Sequence, residues 1–313
     1  MSFAGRALYH TWHRPKGWLQ DLIADGGPWE RKRTHRGREA MRQAAHQLKP
    51  DQMTKSGLPL TVHFLTGERF WDMSAFCLRS LQQHSERPVQ AVVYDDGTLS
   101  AATGEFLCAL APGSKIVPLS ATQERLESLL PGDRFPVLRD RWLHYPNIRK
   151  LTDPHLGVDG WKLVIDSDLL FFRRPTFLLD WTARSDRPLH AVDCQTSYGY
   201  SRPLLERVAG RPLAERLNVG LCGLQGETLD WERIEWICRE LINAEGTNYY
   251  LEQAVVAVLL AGQDCAVAPA DDYITLPRPP EVNACQAVMH HYVANSKRWY
   301  FQHNWRRVLQ SMD

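Results

Sequence analysis

The sequence predicts an α/β protein whose mostly parallel sheet is flanked by helices and preceded by a helical N-terminal extension. From residue 60 onward, short apolar runs rich in β-branched residues alternate with stretches whose apolar side chains recur at helical spacing. Such alternation is typical of parallel sheets covered on both faces. With 313 residues, 44% of them hydrophobic, the chain can form one large core or two small ones.

The individual elements follow from local patterns. Helices are predicted at 70–81, where Phe, Met, Cys and Leu recur on one face, and at 232–243 and 252–261. The predicted strands are short and rich in apolar or β-branched residues, and they occupy 60–65, 89–94, 115–119, 161–165, 189–192, 219–222 and 287–291.

The first fifty residues differ from the rest in charge. They carry ten Arg and Lys residues against four acidic ones, with Trp12, Trp18 and Trp29 among them. We predict a helical arm packed on the domain with a solvated basic face. The alternative is a contact with anionic lipid or with an acidic acceptor. Turn-forming residues near positions 50 and 57 divide the chain into an extension, 1–57, and a main domain, 58–313.

The overall composition excludes several classes of protein. A formal net charge of +1 gives no support for nucleic-acid binding. The seven cysteines are odd in number and scattered, which fits neither a disulfide framework nor a structural zinc site. We expect no signal peptide and no membrane span. The prediction is therefore a cytoplasmic protein, with peripheral membrane contact through its basic extension as a further possibility.

Two carboxylates follow the apolar strand at 161–165, and they are the strongest single feature of the sequence. Asp166 and Asp168 are two positions apart, so on an extended backbone their side chains lie on the same face. Neighbouring carboxylates in apolar surroundings repel each other unless a cation lies between them. Oxygen ligands of this kind suit Mg²⁺ or Mn²⁺. The alternative is a pair of helix caps or a salt-bridged pair.

The run "WKLVIDSDLLFFRRP", residues 161–175, resembles the strand-D-x-D segment of nucleotide-sugar glycosyltransferases with the GT-A (nucleotide-diphospho-sugar transferase) fold. This resemblance, which spans about residues 60–305, implies that Asp166 and Asp168 hold Mn²⁺ or Mg²⁺ against the diphosphate of a sugar donor. The donor would be a nucleotide sugar, in particular a UDP-sugar. The acceptor, whether a glycan, a lipid or a protein, stays open.

Two earlier segments also resemble this family. The strand-helix-strand at 61–100 implies that Asp95 or Asp96 contacts the base or ribose of the sugar donor, with Thr66 nearby. The alternative for Asp95-Asp96-Gly is an ordinary turn. The segment "NIRKLTD" implies that Arg149 or Lys150 lies near the sugar donor, and the alternative there is surface charge.

The segments "NVGLCGL" and "YYLEQAVVAVLL" resemble the N-x-G strand and the Asp-Gln helix start of the retaining family that includes glycogenin and bacterial galactosyltransferases. The resemblance places Asn218 at the sugar donor and gives Glu252, Gln253 and Asp193 catalytic roles, with Asp193 also contacting the donor sugar. Glu252 replaces the usual aspartate. A retaining outcome is favoured, whereas an inverting enzyme would need Asp193, Glu252 or Asp271 as its base.

The segment "HYVANSKRW" resembles the H-x-x-G-x-x-K-P-W ending of the same family, with Ala294 in place of Gly and Arg298 in place of Pro. It implies that His291 is the third metal ligand and that Lys297 meets the diphosphate. His290 is the rival ligand. Because strand side chains alternate between faces, only one of the two histidines can face the site.

Two other functions compete with this interpretation. Asp96-Gly-Thr-Leu matches half of the haloacid-dehalogenase phosphatase motif, but Tyr94 stands where the nucleophile belongs. A transferase fold that binds a nucleotide or sugar without turnover is the second alternative. A nicotinamide-dependent oxidoreductase is disfavoured, because no predicted strand is followed by G-x-G-x-x-G.

Overall fold

A computed structural model describes residues 26–50 and 55–310. The strands are β1 Leu60–Thr66, β2 Val89–Asp95, β3 Lys115–Val117, β4 Trp161–Ile165, β5 Leu169–Phe171, β6 Leu189–Val192, β7 Leu217–Gln225, β8 Ala266–Val267, β9 Tyr273–Thr275 and β10 Met289–His291. The helices are α1 Pro28–Ala45, α2 Trp71–His84, α3 Ala101–Leu110, α4 Leu119–Leu129, α5 Pro136–His144, α6 Arg149–His155, α7 Thr176–Ala183, α8 Arg202–Ala209, α9 Trp231–Glu245, α10 Leu251–Leu259, α11 Pro279–Ala284, α12 Lys297–Trp299 and α13 Trp305–Gln310. No described helix is long and apolar enough to cross a membrane.

The main sheet has seven strands in the order β3-β2-β1-β4-β7-β6-β8. Every neighbouring pair is parallel except the two pairs that β7 makes with β4 and β6. The predicted α/β class with a mostly parallel sheet is therefore confirmed. Two predicted strands are shorter than expected: the strand at 287–291 is confined to Met289–His291, and the strand at 115–119 ends at Val117, because Pro118 cannot donate a backbone hydrogen bond and is the N-cap of α4.

A second, three-stranded sheet in the order β5-β10-β9 lies beside the carboxyl end of β4. β10 runs antiparallel to β5, and the register sets His291 opposite Leu169, next to Asp168 in the chain. The backbone N–H of Tyr292 also donates to the carbonyl of Asp168 at 3.0 Å. This small sheet therefore brings His291 to the turn that carries Asp166 and Asp168, which we call the acidic turn. Of its three strands, the sequence predicts only β10.

Helices bury apolar side chains against both faces of the main sheet. One face is covered by α1, α2 and the C-terminal helices, and its largest fully buried side chains include Phe64, Trp71 and Tyr300. The other is covered by α5, α8, α9 and α10, with Trp142, Ile237 and Val255 among its buried residues. Two packed faces hold the strand ends in fixed positions, and these ends carry the polar residues described below.

Helix α1 packs on the C-terminal part of the chain. Met41 and Ala45 are fully buried in the larger core, and Gly37 lies so close to the carbonyl of Phe301 that a Cβ would be 2.2 Å from that oxygen. Trp29 is 81% exposed. This helix matches the arm predicted within the N-terminal extension, whereas Trp12 and Trp18 lie outside the described residues. The division at residue 57 stays a prediction.

Candidate active site

The turn after β4 and the end of β10 form a compact group of potential metal ligands. One ligand atom each from Asp166, Asp168 and His291 lies within 4.8 Å of the other two. Asp168 and His291 are buried, and Asp166 is partly exposed. Within residues 26–50 and 55–310, no other group of histidine, cysteine and acidic side chains has this spacing.

Buried atoms of this group lack hydrogen-bond partners among the described residues, namely Nε2 of His291 and Oδ1 of Asp168. The two atoms lie 3.1 Å apart, and Nε2 is 3.6 Å from Oδ2 of Asp166. Burial lowers the pKa of His291, but the two carboxylates outweigh burial and raise that pKa to about 9. Imidazole nitrogen and carboxylate oxygens together suit a divalent cation such as Mn²⁺. The residues present therefore fit the metal that the resemblance implies.

Lys150, on helix α6, connects this group to the start of α10. Its Nζ donates to Oδ1 of Asp166 at 2.8 Å and lies 3.1 Å from Oε2 of Glu252. Burial lowers the pKa of Lys150, but the two carboxylates outweigh burial and raise it. Burial and the Asp166 charge raise the pKa of Glu252 to about 7, against the opposing effect of Lys150. Lys150 thus remains a cation and fixes both acidic side chains.

Lys297, the first residue of α12, contributes a second cation. Its Nζ lies 3.0 Å from Oδ2 of Asp168, and this carboxylate raises the pKa of the lysine. Lys297 is preceded by Ala294, which has a φ of 46°, and Leu276 nearby in the cavity wall has a φ of 59°. L side chains rarely adopt these conformations, and such backbone strain clusters at functional sites.

Three polar residues that the sequence analysis places at the sugar donor form a hydrogen-bonded cluster. Oδ2 of Asp193 accepts hydrogen bonds from the side chains of Asn218, at 3.2 Å, and Gln253, at 3.1 Å. Gln253 also donates to the carbonyl of Ser197. All three members of the cluster are more than nine-tenths buried. The carboxylate of Asp193 is thereby held in one orientation at the cavity wall.

These groups line one cavity of about 410 Å³. It contains nine of the predicted site residues: Lys150, Asp166, Asp168, Asp193, Asn218, Glu252, Gln253, His291 and Lys297. Tyr145, Tyr249 and Tyr250 also line the cavity, although no sequence motif predicts them. Tyr249 is 72% exposed at the rim. The adjacent pair Tyr249-Tyr250, shortly before Glu252 in the chain, was the available signal, since ligand pockets are lined mainly by hydrophobic and aromatic side chains.

Four predicted residues have other contacts and are not among the lining residues of this cavity. The carboxylate of Asp95 accepts hydrogen bonds from the backbone N–H groups of Gly97 and Leu99. The carboxylate of Asp96 accepts hydrogen bonds from the backbone N–H and the hydroxyl of Thr98. These contacts are those of an ordinary turn, the alternative interpretation of this segment. Thr66 accepts from Ser74 at 2.9 Å.

Arg149 has a supporting position next to Lys150. It pairs with Asp153 and donates to the backbone carbonyls of Asp95 and Asp96 at 2.7 and 3.0 Å. Arg149 is buried, because its side chain is enclosed by these partners and stacked on Trp142. It therefore ties α6 to the end of β2 and positions Lys150, and whether it also reaches a nucleotide stays a prediction.

The two alternative site residues lie elsewhere. His290 is directed away from the acidic turn, with its Nδ1 3.1 Å from the hydroxyl of Tyr292 and its ring against Phe172. Asp271 lines a separate cavity together with Arg173 and His290. Strand alternation thus separates the two histidines, as the sequence analysis expects, and His291 is the one beside Asp166 and Asp168.

The sheet order and the polar edge of the sheet define an α/β fold of the GT-A type. Mouse xyloside xylosyltransferase 1 superposes with a TM-score of 0.51 at 10% identity, over 76% of this chain and 99% of that chain. The bifunctional glycosyltransferase WbbM gives a TM-score of 0.51 at 10% identity, over 84% of this chain and 53% of that chain. No protein-family model and no curated protein matches the sequence. At this identity the two structures show the fold alone.

Proposed function

We propose that this protein is a metal-dependent glycosyltransferase that transfers a sugar from a nucleoside diphosphate sugar, in particular a UDP-sugar, to an acceptor. The observation that carries the proposal is the group of Asp166, Asp168 and His291, placed with two lysines in one cavity of a GT-A-type fold. The cavity is within the size range of small-molecule sites, and ion pairs connect Lys150, His291 and Lys297 to the carboxylates of Asp166, Asp168 and Glu252.

The proposed chemistry assigns a role to each charged group. Asp166, Asp168 and His291 would hold a divalent ion, which would supply positive charge to stabilise a diphosphate leaving group. Lys297, which contacts Asp168, adds a second positive charge at the same place. Lys150 holds Asp166 in position through its hydrogen bond and leaves the other carboxylate oxygen for the metal.

The donor sugar is assigned to the cluster of Asp193, Asn218 and Gln253. The Gln253 amide and the Asp193 carboxylate are hydrogen-bonded to each other and line the cavity, so both can orient sugar hydroxyl groups. The carboxylate of Glu252 pairs with Lys150, and among the described residues it has no hydrogen bond to the cluster assigned to the donor sugar. We favour a retaining outcome, with Gln253 and Asp193 beside the reacting carbon. NMR of the product anomer tests this part, and an inverted anomer would refute it.

Calorimetry tests the main proposal. UDP should bind in the presence of Mn²⁺, and EDTA or an Asp168→Asn substitution should weaken that binding. Equal affinity with and without the chelator would contradict metal dependence. A thermal-shift screen of nucleotide sugars with Mn²⁺ then identifies the sugar donor, because a ligand that binds only the folded state raises its stability.

The two competing functions give different results in the same set of assays. A phosphatase would hydrolyse a generic phosphomonoester and lose that activity in an Asp166→Asn variant. Asp96 belongs to the segment that resembles a phosphatase motif. Among the described contacts, its carboxylate accepts hydrogen bonds from Thr98 in the same turn. A non-catalytic module would bind the sugar donor without hydrolysing or transferring it across a broad acceptor panel.

A further inference from the structure

A second cavity, of about 230 Å³, lies between helix α1 and the segment 294–301. We name it the basic groove. Its basic lining residues are Arg31, His35, Arg38, Lys297 and Arg298, and Phe301 forms part of its wall. No acidic residue of the described chain lines it. The groove therefore offers the positive charges of three arginines to a ligand, and Lys297, which also pairs with Asp168, adds a fourth.

Two of the arginines are held in place by aromatic rings. The guanidinium of Arg38 lies 5.2 Å from the ring centre of Phe301, and its Nη2 donates to the carbonyl of Arg69. The guanidinium of Arg298 lies 4.4 Å from the ring centre of Trp299. Stacked guanidinium groups lose little conformational freedom when they bind an anion. The guanidinium groups of Arg38 and Arg298 therefore lie at the wall of the groove before any ligand binds.

Arg298 also has a buried hydrogen-bond donor without a partner. Its Nε makes no hydrogen bond among the described residues, although the atom is inaccessible to solvent. An unpaired buried N–H is costly, and Nε of Arg298 gains an acceptor when the side chain turns toward an anion in the groove that it lines. Arg298 stands where the resembling family has proline, so this donor belongs to the present chain rather than to the common site.

The basic groove adjoins the cavity of the candidate active site. Ala294 and Lys297 line both cavities, and Nζ of Lys297 is 3.0 Å from the carboxylate of Asp168. A ligand anchored in the groove thus extends directly toward the proposed metal group. We propose that the basic groove binds a phosphate group carried by the acceptor substrate, an inference that rests on the proposed glycosyltransferase function.

The position of the charges favours a phosphate group over a membrane surface. Lys32, Arg33 and Arg36 are exposed on the same helix but do not line the groove. A flat anionic surface would engage these residues as readily as Arg31, because its attraction depends on summed charge. A concave site binds one phosphate through a few fixed arginines, so only the groove residues should matter.

Calorimetry with glucose 6-phosphate as the probe tests the proposal. The protein is first saturated with UDP and Mn²⁺, so that the diphosphate site is filled. We expect one molecule of glucose 6-phosphate to bind, and glucose not to bind. Arg31→Ala and Arg298→Gln should each weaken this binding about tenfold, the effect of losing one charge-assisted hydrogen bond. Arg36→Ala, an exposed cation of the same helix, is the matched control and should change it less than about twofold.

Several results would overturn the proposal. Loss of glucose 6-phosphate binding once UDP and Mn²⁺ are present would place the anion in the sugar-donor site. An equal loss in the Arg36→Ala control would indicate diffuse surface charge. Sedimentation with vesicles containing phosphatidylglycerol, without glucose 6-phosphate binding, would indicate a membrane-facing surface. Failure of UDP itself to bind would refute the proposed function separately, and the three variants would still report on the groove in the absence of UDP.

Discussion

Gly220 gives the sharpest test of the metal group, because its hydrogen atom faces the ring of His291. It lies inside β7, in the N-x-G segment, and its carbonyl accepts a hydrogen bond from the backbone N–H of Asp166. A Cβ at position 220 would be 2.1 Å from Cε1 of His291 and 2.7 to 2.8 Å from both ring nitrogens. The substitution Gly220→Ala therefore forces the imidazole to move.

The size of this movement follows from the structure. An ordinary contact begins at 3.4 Å, so a ring atom now 2.1 Å from the new methyl group has to shift by about 1.3 Å. Metal–ligand distances tolerate changes of only about 0.2 Å. We therefore expect Gly220→Ala to lower Mn²⁺ affinity by about 10- to 100-fold. Overpacking should also lower the free energy of unfolding by about 1–3 kcal/mol.

Gly223→Ala is the matched control, since it adds a methyl group to the same strand but on the other face. Its Cβ would lie 2.5 Å from the ring of Trp181, away from the metal group. This variant should lose comparable stability in chemical denaturation and keep its Mn²⁺ affinity in calorimetry. If Gly220→Ala binds Mn²⁺ as tightly as the wild type, or if both variants lose it equally, then His291 is not held as a ligand in the way we describe.

Three further predictions test separate parts of the structure. His291→Ala should abolish Mn²⁺-dependent hydrolysis of the sugar donor, whereas His290→Ala should keep it, because only the former lies beside both aspartates. Ala294→Gly should raise the free energy of unfolding by about 0.5–1 kcal/mol in urea denaturation, since a φ of 46° is unfavourable for alanine. Glu235→Ala should lower it by about 2–3 kcal/mol, because the buried carboxylate accepts hydrogen bonds from two backbone N–H groups at the start of Pro136–His144.

Each of these predictions has a result that would contradict it. Inactivity of His290→Ala in a folded protein would reverse the choice between the two histidines. A less stable Ala294→Gly variant would mean that the glycine's freedom in the unfolded chain outweighs the strain at that position. Stability unchanged in Glu235→Ala would mean that water replaces the carboxylate at the helix start.

The sequence by itself determines the α/β class and the acidic turn. Strand and helix periodicity is local, so the strand at 161–165 and the positions of Asp166 and Asp168 at its end follow from neighbouring residues alone. The same local rule states that His290 and His291 face opposite sides of a strand. These features depend on backbone geometry over a few residues, and residue patterns of the same length predict that geometry.

Only the tertiary structure decides which of these residues meet. The register of β10 against β5 sets His291 opposite Leu169, although the two residues are far apart in the chain. The contact of Lys150 with Glu252 depends on how separate helices pack, and so does the basic groove between α1 and the C-terminal segment. The physical reason is that long-range register and helix docking are set by burial summed over the whole core, which no local pattern records.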